Sequence, residues 1–375
     1  MTSPRIDVLA LAQALLRADS VTPARGAVFD VLEAALVPIG FAVDRFVCGE
    51  APDGPVENMI ATREGTGRHL AFAGHVDVVP PGEGWTGSPW SGAIRDGLLY
   101  GRGAVDMKGA VAAFVAAAAR VTDSVPLSLL ITGDEEGPAT YGTPALIARM
   151  AELGVAPDLC LVGEPTSVRR LGDMIKIGRR GSVNIWIEVP GRQGHVAYPQ
   201  LADNPVPKLV RALAALDTLS LDEGNAWFQP SNLEITDITV GNGAHNVIPA
   251  AARARLNIRF NDEQTGLGLL ERVTATVQAV VPDATVRGKV SGEAFLTQPG
   301  TLTGIVSAAI LDATGAEPEL STTGGTSDAR FLSKLCPTVE FGLINATMHQ
   351  VDEAVAIDDL ETLVRIYAEV IRKAR

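Results

Sequence analysis

The chain has 375 residues, of which 46% are hydrophobic and 20% are charged. This length fits two compact domains, and this amount of apolar material excludes disorder as the main state. The 31 Lys and Arg against 44 Asp and Glu give a net charge of −13, which repels nucleic-acid phosphates and anionic lipid, so neither partner is expected. Asp7 interrupts the first apolar stretch, and the 3 cysteines lack a C-x-x-C pair. These features indicate a cytoplasmic protein with free thiols.

The first half of the chain alternates strand and helix patterns. Short apolar runs predict strands at Leu70–Ala73, Leu127–Ile131 and Leu159–Val162. Gly109–Arg120 is rich in alanine and apolar nearly all round, which predicts a buried helix, and Pro23 is expected to open an earlier one. Apolar strands separated by helices indicate an α/β fold, with a mixed, mostly parallel sheet and helices on both faces.

The pattern changes near Gly181. Between 181 and 292 the predicted order is strand, helix, strand, strand, helix, strand, which is the ferredoxin-like βαββαβ arrangement. After 292 the α/β character returns. We therefore expect a catalytic domain formed by 1–180 and 293–375, interrupted by an inserted domain at 181–292.

Histidine and acidic residues follow the predicted strands of the first domain. His75 and Asp77 follow the first strand, Glu135 and Glu136 the second, and Glu164 the third. In open α/β sheets, ligands bind beyond the carboxyl ends of the strands, so these side chains are expected to converge. Asp77 is placed to accept the second imidazole N–H of His75.

Two further residues extend this group. Asp106 directly precedes the alanine-rich helix, and His349 follows a late strand at Thr338–Phe341. Two imidazoles with several carboxylates and no sulfur suit zinc, manganese or cobalt, and the excess of carboxylates suits two ions. Taken alone, each of these residues is explained equally well by a position in a surface turn, in a solvated loop or at a helix cap. Their joint placement at strand ends favours a hydrolytic metal site, in which one glutamate of the pair Glu135-Glu136 binds metal and the other carries a proton.

These residues stand in motifs that resemble a known family. The motifs are His75-Val-Asp77-Val-Val-Pro, Gly101-Arg-Gly-x-x-Asp106-Met-Lys-Gly109, Asp134-Glu135-Glu136-Gly and Gly163-Glu164-Pro165. They resemble the di-zinc amidohydrolases that include acetylornithine deacetylase, aminoacylase and carboxypeptidase G, whose metal-bearing domain has a zinc exopeptidase-like fold.

The resemblance implies a role for each residue. His75 and Glu164 would bind one Zn²⁺, Glu136 and His349 the other, and Asp106 both. Glu135 would be the general base, with Asp77 beside it in the catalytic set. The resemblance also implies a cis peptide at Asp106–Met107 and Co²⁺ as a possible substitute metal.

Further segments narrow the resemblance to the family branch that hydrolyses N-succinyl-LL-2,6-diaminopimelate in lysine biosynthesis. These segments are Lys176-Ile-Gly-Arg179-Arg180-Gly-Ser182, Gln193-Gly-His195-Val-Ala-Tyr198-Pro, Asn246-Val-Ile-Pro, Gly324-Gly-Thr326-Ser-Asp328 and Glu340-Phe-Gly with Asn345-Ala-Thr-x-His349.

The same resemblance implies how an anionic substrate is bound. Arg179, Ser182, Asn246 and Arg259 would hold the succinyl carboxylate, for which a guanidinium is suited. The rest of the substrate would be lined by Tyr198, Gly325 and Thr326. The inserted domain would form a homodimer in which His195 reaches the partner's active site.

Other functions remain open. Acetylornithine deacetylase or a related N-acyl amino acid amidohydrolase would use the same metals with a different tail pocket. A serine hydrolase would need Gly-x-Ser-x-Gly at 325–329, but the last residue is Ala329. A non-catalytic binding protein with this fold would be expected to lack Glu135, which is present.

Overall fold

Capping residues fix where the helices begin in the computed structural model, which describes residues 5–121 and 125–375. Asp7 accepts the backbone N–H groups of Leu9 and Ala10 and so starts the first helix. The second helix begins at Ala27 rather than at Pro23, because Gly26 precedes it with a left-handed φ of 71° that a helix cannot continue through. The helices of the described ranges are α1 (Val8–Arg17), α2 (Ala27–Leu36), α3 (Lys108–Arg120), α4 (Thr143–Leu153), α5 (Pro205–Asp217), α6 (Gly266–Val280), α7 (Thr301–Thr314), α8 (Ala329–Leu332) and α9 (Ile357–Lys373), with short 3-10 turns at Val37–Ile39 and Pro199–Leu201.

The strands include the predicted apolar runs and several shorter or more polar segments. In chain order they are β1 (Ala42–Cys48), β2 (Val56–Arg63), β3 (Leu70–His75), β4 (Ala93–Arg95), β5 (Leu98–Tyr100), β6 (Leu127–Thr132), β7 (Leu159–Val162), β8 (Met174–Lys176), β9 (Gly178–Arg179), β10 (Gly181–Pro190), β11 (Gly194–His195), β12 (Asn232–Thr239), β13 (Val247–Ile248), β14 (Ala251–Phe260), β15 (Thr285–Gly292), β16 (Phe295–Leu296), β17 (Glu319–Ser321), β18 (Thr338–Glu340) and β19 (Ala354–Ala356).

The larger of two units contains an eight-stranded sheet. This unit comprises Met1–Ile177, Thr297–Ser321 and Ser327–Arg375. Its sheet has the order β1-β2-β6-β3-β7-β18-β8-β17, in which β6, β3, β7 and β18 run parallel. Every residue of β6 and β7 is buried, so both faces of the sheet are covered. The predicted α/β class with a mixed, mostly parallel sheet is confirmed.

The helix α3 forms the centre of this core. All of its residues except Arg120 are buried, as predicted from its alanine-rich sequence. Phe114 of α3 stacks on Phe72 of β3 with ring centroids 4.2 Å apart, and Tyr367 of α9 meets both rings edge-on. This packing fixes β3, and therefore the strand end that carries His75.

The smaller unit comprises Gly178–Leu296 and Thr322–Thr326. Its antiparallel sheet has the order β12-β14-β10-β15, and α5 and α6 pack together against it. The core is formed by apolar side chains such as Ile185, Leu256 and Val273, each fully buried. The order of strands and helices is the ferredoxin-like arrangement predicted for the inserted domain. No helix within 5–121 or 125–375 is long and apolar enough to cross a membrane.

Candidate metal centre

Three strand ends deliver predicted ligands to one edge of the large sheet. His75 is the last residue of β3, Glu135 and Glu136 follow β6, and Glu164 follows β7. The strand β3 pairs in parallel with both β6 and β7, so their carboxyl ends lie side by side. The sheet topology thus explains why residues distant in sequence converge.

The Asp106 carboxylate lies between two imidazoles. Its Oδ1 is 3.1 Å from His75 Nε2, and its Oδ2 is 3.2 Å from His349 Nε2. The Asp106–Met107 peptide is cis, as the resemblance implied. Each oxygen of this one carboxylate therefore faces a different potential metal ligand.

The other two predicted carboxylate ligands divide between the two histidines. Glu136 Oε1 lies 2.8 Å from His349 Nε2, and Glu164 Oε1 lies 3.9 Å from His75 Nε2. His75 and Glu164 are buried, whereas the His349 side chain is 42% exposed. The His349 side of the group is therefore the side open to exchange with solvent.

Within residues 5–121 and 125–375, two sets of donor atoms are close enough to bind an ion. In each set all donor atoms lie within 4.8 Å of one another, and the sets are His75, Asp106, Glu136 and His75, Glu135, Glu164. Four carboxylates therefore surround two imidazoles, and even full protonation of both imidazoles would leave negative charge in excess. Nitrogen and oxygen donors with this charge excess fit two divalent transition-metal ions.

The carboxyl group of Glu135 is suited to hold a proton. Burial, together with the neighbouring charge of Glu164, raises the pKa of Glu135 well above its usual value. A carboxyl group with a raised pKa can act as an acid or base near neutral pH.

His349, at the exposed side of the site, is surrounded by carboxylates that favour its protonated form. Hydrogen bonds with Asp106 and Glu136 raise the pKa of His349 to about 10. Burial alone would raise the pKa of Asp106, but its contacts with His349 and His75 outweigh burial and lower it. The site is thus electrostatically organised to attract positive charge.

Asp77 plays a different part from the one expected. Nδ1 of His75 lies 2.9 Å from the backbone carbonyl of Asp77, while the Asp77 carboxylate is 3.6 Å away. That carboxylate instead accepts the backbone N–H groups of Glu135 at 3.2 Å and Glu136 at 3.0 Å. The predicted contact through the carboxylate is wrong, because the β3–β6 pairing places these amides closer to it. The carbonyl still fixes the orientation of the imidazole.

Most of the chain matches the model of one protein family. A model described as peptidase family M20/M25/M40 matches residues 71–373. The chain belongs to this family.

Two curated proteins that share one name are very similar to the chain over nearly its full length. It is 66% identical over 368 residues to the succinyl-diaminopimelate desuccinylase of Rhizorhabdus wittichii, covering 98% of each chain. It is 64% identical over 370 residues to the protein of the same name from Sphingopyxis alaskensis, again covering 98% of each.

Solved structures share the fold at much lower sequence identity. A tripeptidase from Staphylococcus aureus superposes with a TM-score of 0.81 at 17% identity, covering 99% of each chain. A Bacillus subtilis protein described as a dinuclear metal-binding peptidase of the M20 family gives a TM-score of 0.72 at 14% identity, covering 97% of this chain and 96% of that one.

The residues predicted to bind the acyl tail belong to the smaller unit of this M20/M25/M40 chain. Ser182 of β10 lies opposite Arg259 of β14 in the antiparallel register. Arg179 of β9 donates from Nη1 to the carbonyl of Thr323 at 3.3 Å. Gly324, at a φ of 111°, allows this approach, since a Cβ there would meet Arg179 Nη1 at 2.2 Å. The late segment that contains Gly325 and Thr326 is thereby tied to β9.

A second group of predicted residues forms a separate cluster within the smaller unit. The ring centroids of His195 and Tyr198 are 5.8 Å apart, and both side chains are exposed. The strands β11 and β13 pair, and the Val196 N–H donates to the carbonyl of Asn246 at 3.1 Å. The structure therefore brings His195, Tyr198 and Asn246 together on paired segments.

Sequence reasoning did not identify Arg102 and Glu353, whose buried side chains bind backbone groups of the loops that carry His349 and Asp106. Arg102 stands in the motif Gly101-Arg-Gly, which by itself indicates no role for the arginine. Glu353 follows Asp352 in a loop, where acidic residues are typical of a solvated surface, yet it is fully buried. Nothing in the local sequence distinguishes such a glutamate from an exposed one.

Proposed function

We propose that this chain hydrolyses N-succinyl-LL-2,6-diaminopimelate to succinate and LL-2,6-diaminopimelate, a reaction of diaminopimelate and lysine biosynthesis. The observation that carries the proposal is the convergence of two imidazoles and four carboxylates at one sheet edge. It occurs in a chain 66% identical, over 98% of its length, to a succinyl-diaminopimelate desuccinylase.

The proposed metal ligands follow the two halves of the site. His75 and Glu164 would hold one Zn²⁺, Glu136 and His349 the other, and Asp106 both, which matches the oxygen of Asp106 that faces each histidine. When bound, the two ions would polarise the amide carbonyl and lower the pKa of water, so that it loses a proton and becomes a nucleophile near neutral pH. Co²⁺ can substitute, because it accepts the same nitrogen and oxygen donors.

Glu135 is the proposed general base and acid. Its carboxylate takes a proton from the attacking water and gives it to the nitrogen of the leaving amine. The raised pKa of Glu135 supports this role, since the protonated form is then stable enough to act as a donor. Asp77 supports the base by binding the Glu135 N–H.

Arginine side chains account for a substrate with an anionic tail. We assign Arg179, Ser182, Asn246 and Arg259 to the succinyl carboxylate, and Tyr198, Gly325 and Thr326 to the remainder of the substrate. A guanidinium binds a carboxylate through two parallel hydrogen bonds. A neutral acetyl group has no carboxylate to accept them. This pairing is what would separate succinyl from acetyl substrates.

The smaller unit is the proposed dimerisation domain. Within a homodimer, His195 would donate a hydrogen bond to the amide oxygen in the partner's active site, stabilising charge that develops there. The three cysteines are free, which fits a reducing compartment such as the cytoplasm.

A direct assay tests the proposal. Purified protein is given N-succinyl-LL-2,6-diaminopimelate or N-acetylornithine, first after chelator treatment and then with added Zn²⁺. We expect zinc-dependent release of succinate and far slower release of acetate. Faster turnover of N-acetylornithine would favour the acetylornithine deacetylase alternative, and turnover that resists complete metal removal would refute the metal mechanism.

A further inference from the structure

A buried ion pair outside the proposed ligand set contacts the loops that carry Asp106 and His349. Arg102 Nη1 and Glu353 Oε2 are 2.7 Å apart, and the two side chains are 2% and 0% exposed. Burying two charges is expensive, so such a pair is weak evidence for a role in stability. Its role is better sought in the backbone groups that the two side chains bind.

Glu353 binds the loop that carries Asp106. Its Oε1 accepts the N–H groups of Val105 at 2.8 Å and Asp106 at 3.1 Å, and its Oε2 accepts that of Gly103 at 3.1 Å. In addition, the Glu353 carbonyl accepts the Gly101 N–H at 3.0 Å. The position of the Asp106 main chain is therefore set by a residue 247 positions later.

Arg102 binds the loop that carries His349. Its Nη1 donates to the Gln350 carbonyl at 3.1 Å, and its Nη2 to the carbonyls of Pro81 at 3.1 Å and His349 at 3.4 Å. His349 has a φ of 61°. This value lies in the left-handed region, which residues other than glycine adopt at a cost in free energy. The guanidinium stabilises the loop at this strained residue.

The two contacts are reciprocal. Arg102 lies four residues before Asp106 but binds the His349 loop, and Glu353 lies four residues after His349 but binds the Asp106 loop. We propose that Arg102 and Glu353 are positioning residues that fix Asp106 and His349 relative to each other for binding one metal ion. This inference rests on the proposed dinuclear site.

The proposal predicts unequal effects at the two metals. The ion held by Asp106, Glu136 and His349 depends on both loops, whereas His75 is separately oriented by the Asp77 carbonyl. Loss of a residue that orients ligands typically lowers metal affinity about 10- to 100-fold. We expect that loss at the site of His349, which depends on both loops, and a smaller loss at the site of His75, which shares only Asp106 with it.

The experiment uses Glu353→Gln, Arg102→Lys and a matched control. Gln keeps the shape of Glu353 but presents an amide N–H₂ where an oxygen now accepts, and Lys keeps the charge of Arg102 but cannot reach all of its carbonyl partners. The control is Glu57→Gln, because Glu57 is likewise buried, pairs with Arg45 at 2.6 Å and accepts the Gly26 N–H.

Zn²⁺ is titrated into each apo-protein by calorimetry, and Co²⁺ absorption reports ligand geometry. We expect Glu353→Gln and Arg102→Lys to weaken one site about 10- to 100-fold, to weaken the other site less, and to alter the Co²⁺ spectrum, while Glu57→Gln keeps two wild-type sites. Thermal unfolding of each apo-protein gives the folded fraction. Wild-type affinities in both test variants, or zinc loss only in proportion to unfolding, would overturn the inference. A wild-type chain that binds fewer than two ions would instead overturn the proposed function and, with it, this inference.

Discussion

The Asp77 carboxylate accepts the backbone N–H of Glu135 at 3.2 Å, and the next amide, that of Glu136, at 3.0 Å. Asp77 is fully buried, so this anchor is shielded from solvent. The Asp77 carboxylate fixes the main chain of both glutamates and does not contact their side chains through these hydrogen bonds. The side chain of either glutamate can therefore be changed while the backbone contact is kept.

Glu135→Gln should retain both metal ions and lose nearly all turnover. Gln cannot carry the proton, and general acid–base transfer is worth about 10²- to 10⁴-fold in rate. Metal content and kcat are measured on the same preparation, with the exposed Glu83→Gln as control. If metal and activity are lost in the same proportion, Glu135 is a ligand rather than the base.

His349→Ala should lose one metal ion before the other. His75, Glu164 and Asp106 remain to hold the first ion, while the second keeps only Glu136 and Asp106. Calorimetric titration of the apo-variant with Zn²⁺ should show one strong site. Two sites of undiminished affinity would remove His349 from the ligand set.

Arg259→Met should impair succinyl substrates selectively. A hydrogen bond to a charged group contributes about 1.5–3 kcal/mol, so kcat/KM for the succinyl substrate should fall about 10- to 100-fold. Slow turnover of N-acetylornithine should change little. Arg255→Met is the control, because Arg255 lies on the same strand and is exposed. An equal loss for both substrates would argue against a contact with the succinyl carboxylate.

Mixed dimers test whether His195 acts across subunits. His195→Ala and Glu135→Gln homodimers should each be nearly inactive, since losing one oxyanion donor costs about 10²- to 10³-fold. If His195 acts in the partner's site, a heterodimer of the two variants contains one site with both residues intact, and activity returns. Verified heterodimers without recovered activity would reject the shared site and leave the metal assignments unaffected.

His69 should make the free energy of unfolding sensitive to pH. Burial lowers the pKa of this half-buried imidazole below 6.5, and its Nε2 lies 2.6 Å from Ser128 Oγ. The unfolded chain therefore binds a proton at a pH where the folded chain does not, and stability falls as the pH drops below about 6.5, by at most about 1.4 kcal/mol per pH unit.

His69→Gln should reduce this pH dependence. Urea unfolding of the apo-protein between about pH 8 and about pH 5.5 measures it, with the exposed His245→Gln as control. The same acid destabilisation in His69→Gln and the wild type would exclude His69 as its source.

The strands that the sequence predicts are those whose apolar residues are buried on both faces of the sheet. Leu127–Ile131 and Leu159–Val162 are buried on both faces, so their sequences are almost entirely apolar, with Ser128 the exception in the first run. The strand β2 escaped notice because it contains Glu57 and Asn58. Both are buried and have distant partners, Arg45 for the first and the Tyr141 carbonyl for the second, which local sequence does not reveal.

In the candidate site, too, some features follow from the sequence and others depend on tertiary packing. Residues at the ends of apolar strands could be placed in one group, because sheet topology follows from the pattern of strands and helices. The partner of the Asp77 carboxylate could not be predicted, since it depends on the register between β3 and the chain leaving β6. Glu353 was missed because its burial is created by the packing of two loops far apart in the sequence.

The position of β18 between β7 and β8 has a consequence for biosynthesis. Val162 pairs with Glu340, so 178 residues must be made before this neighbour of β7 exists. At about 5–20 residues per second, translation of that interval takes roughly 10–35 seconds. The strands of the smaller unit all emerge first, while the backbone groups on one edge of β7, a strand of apolar residues, stay unpaired. An unpaired edge of this kind invites pairing with other chains, so nascent chains stalled within this interval are the form most in need of a chaperone.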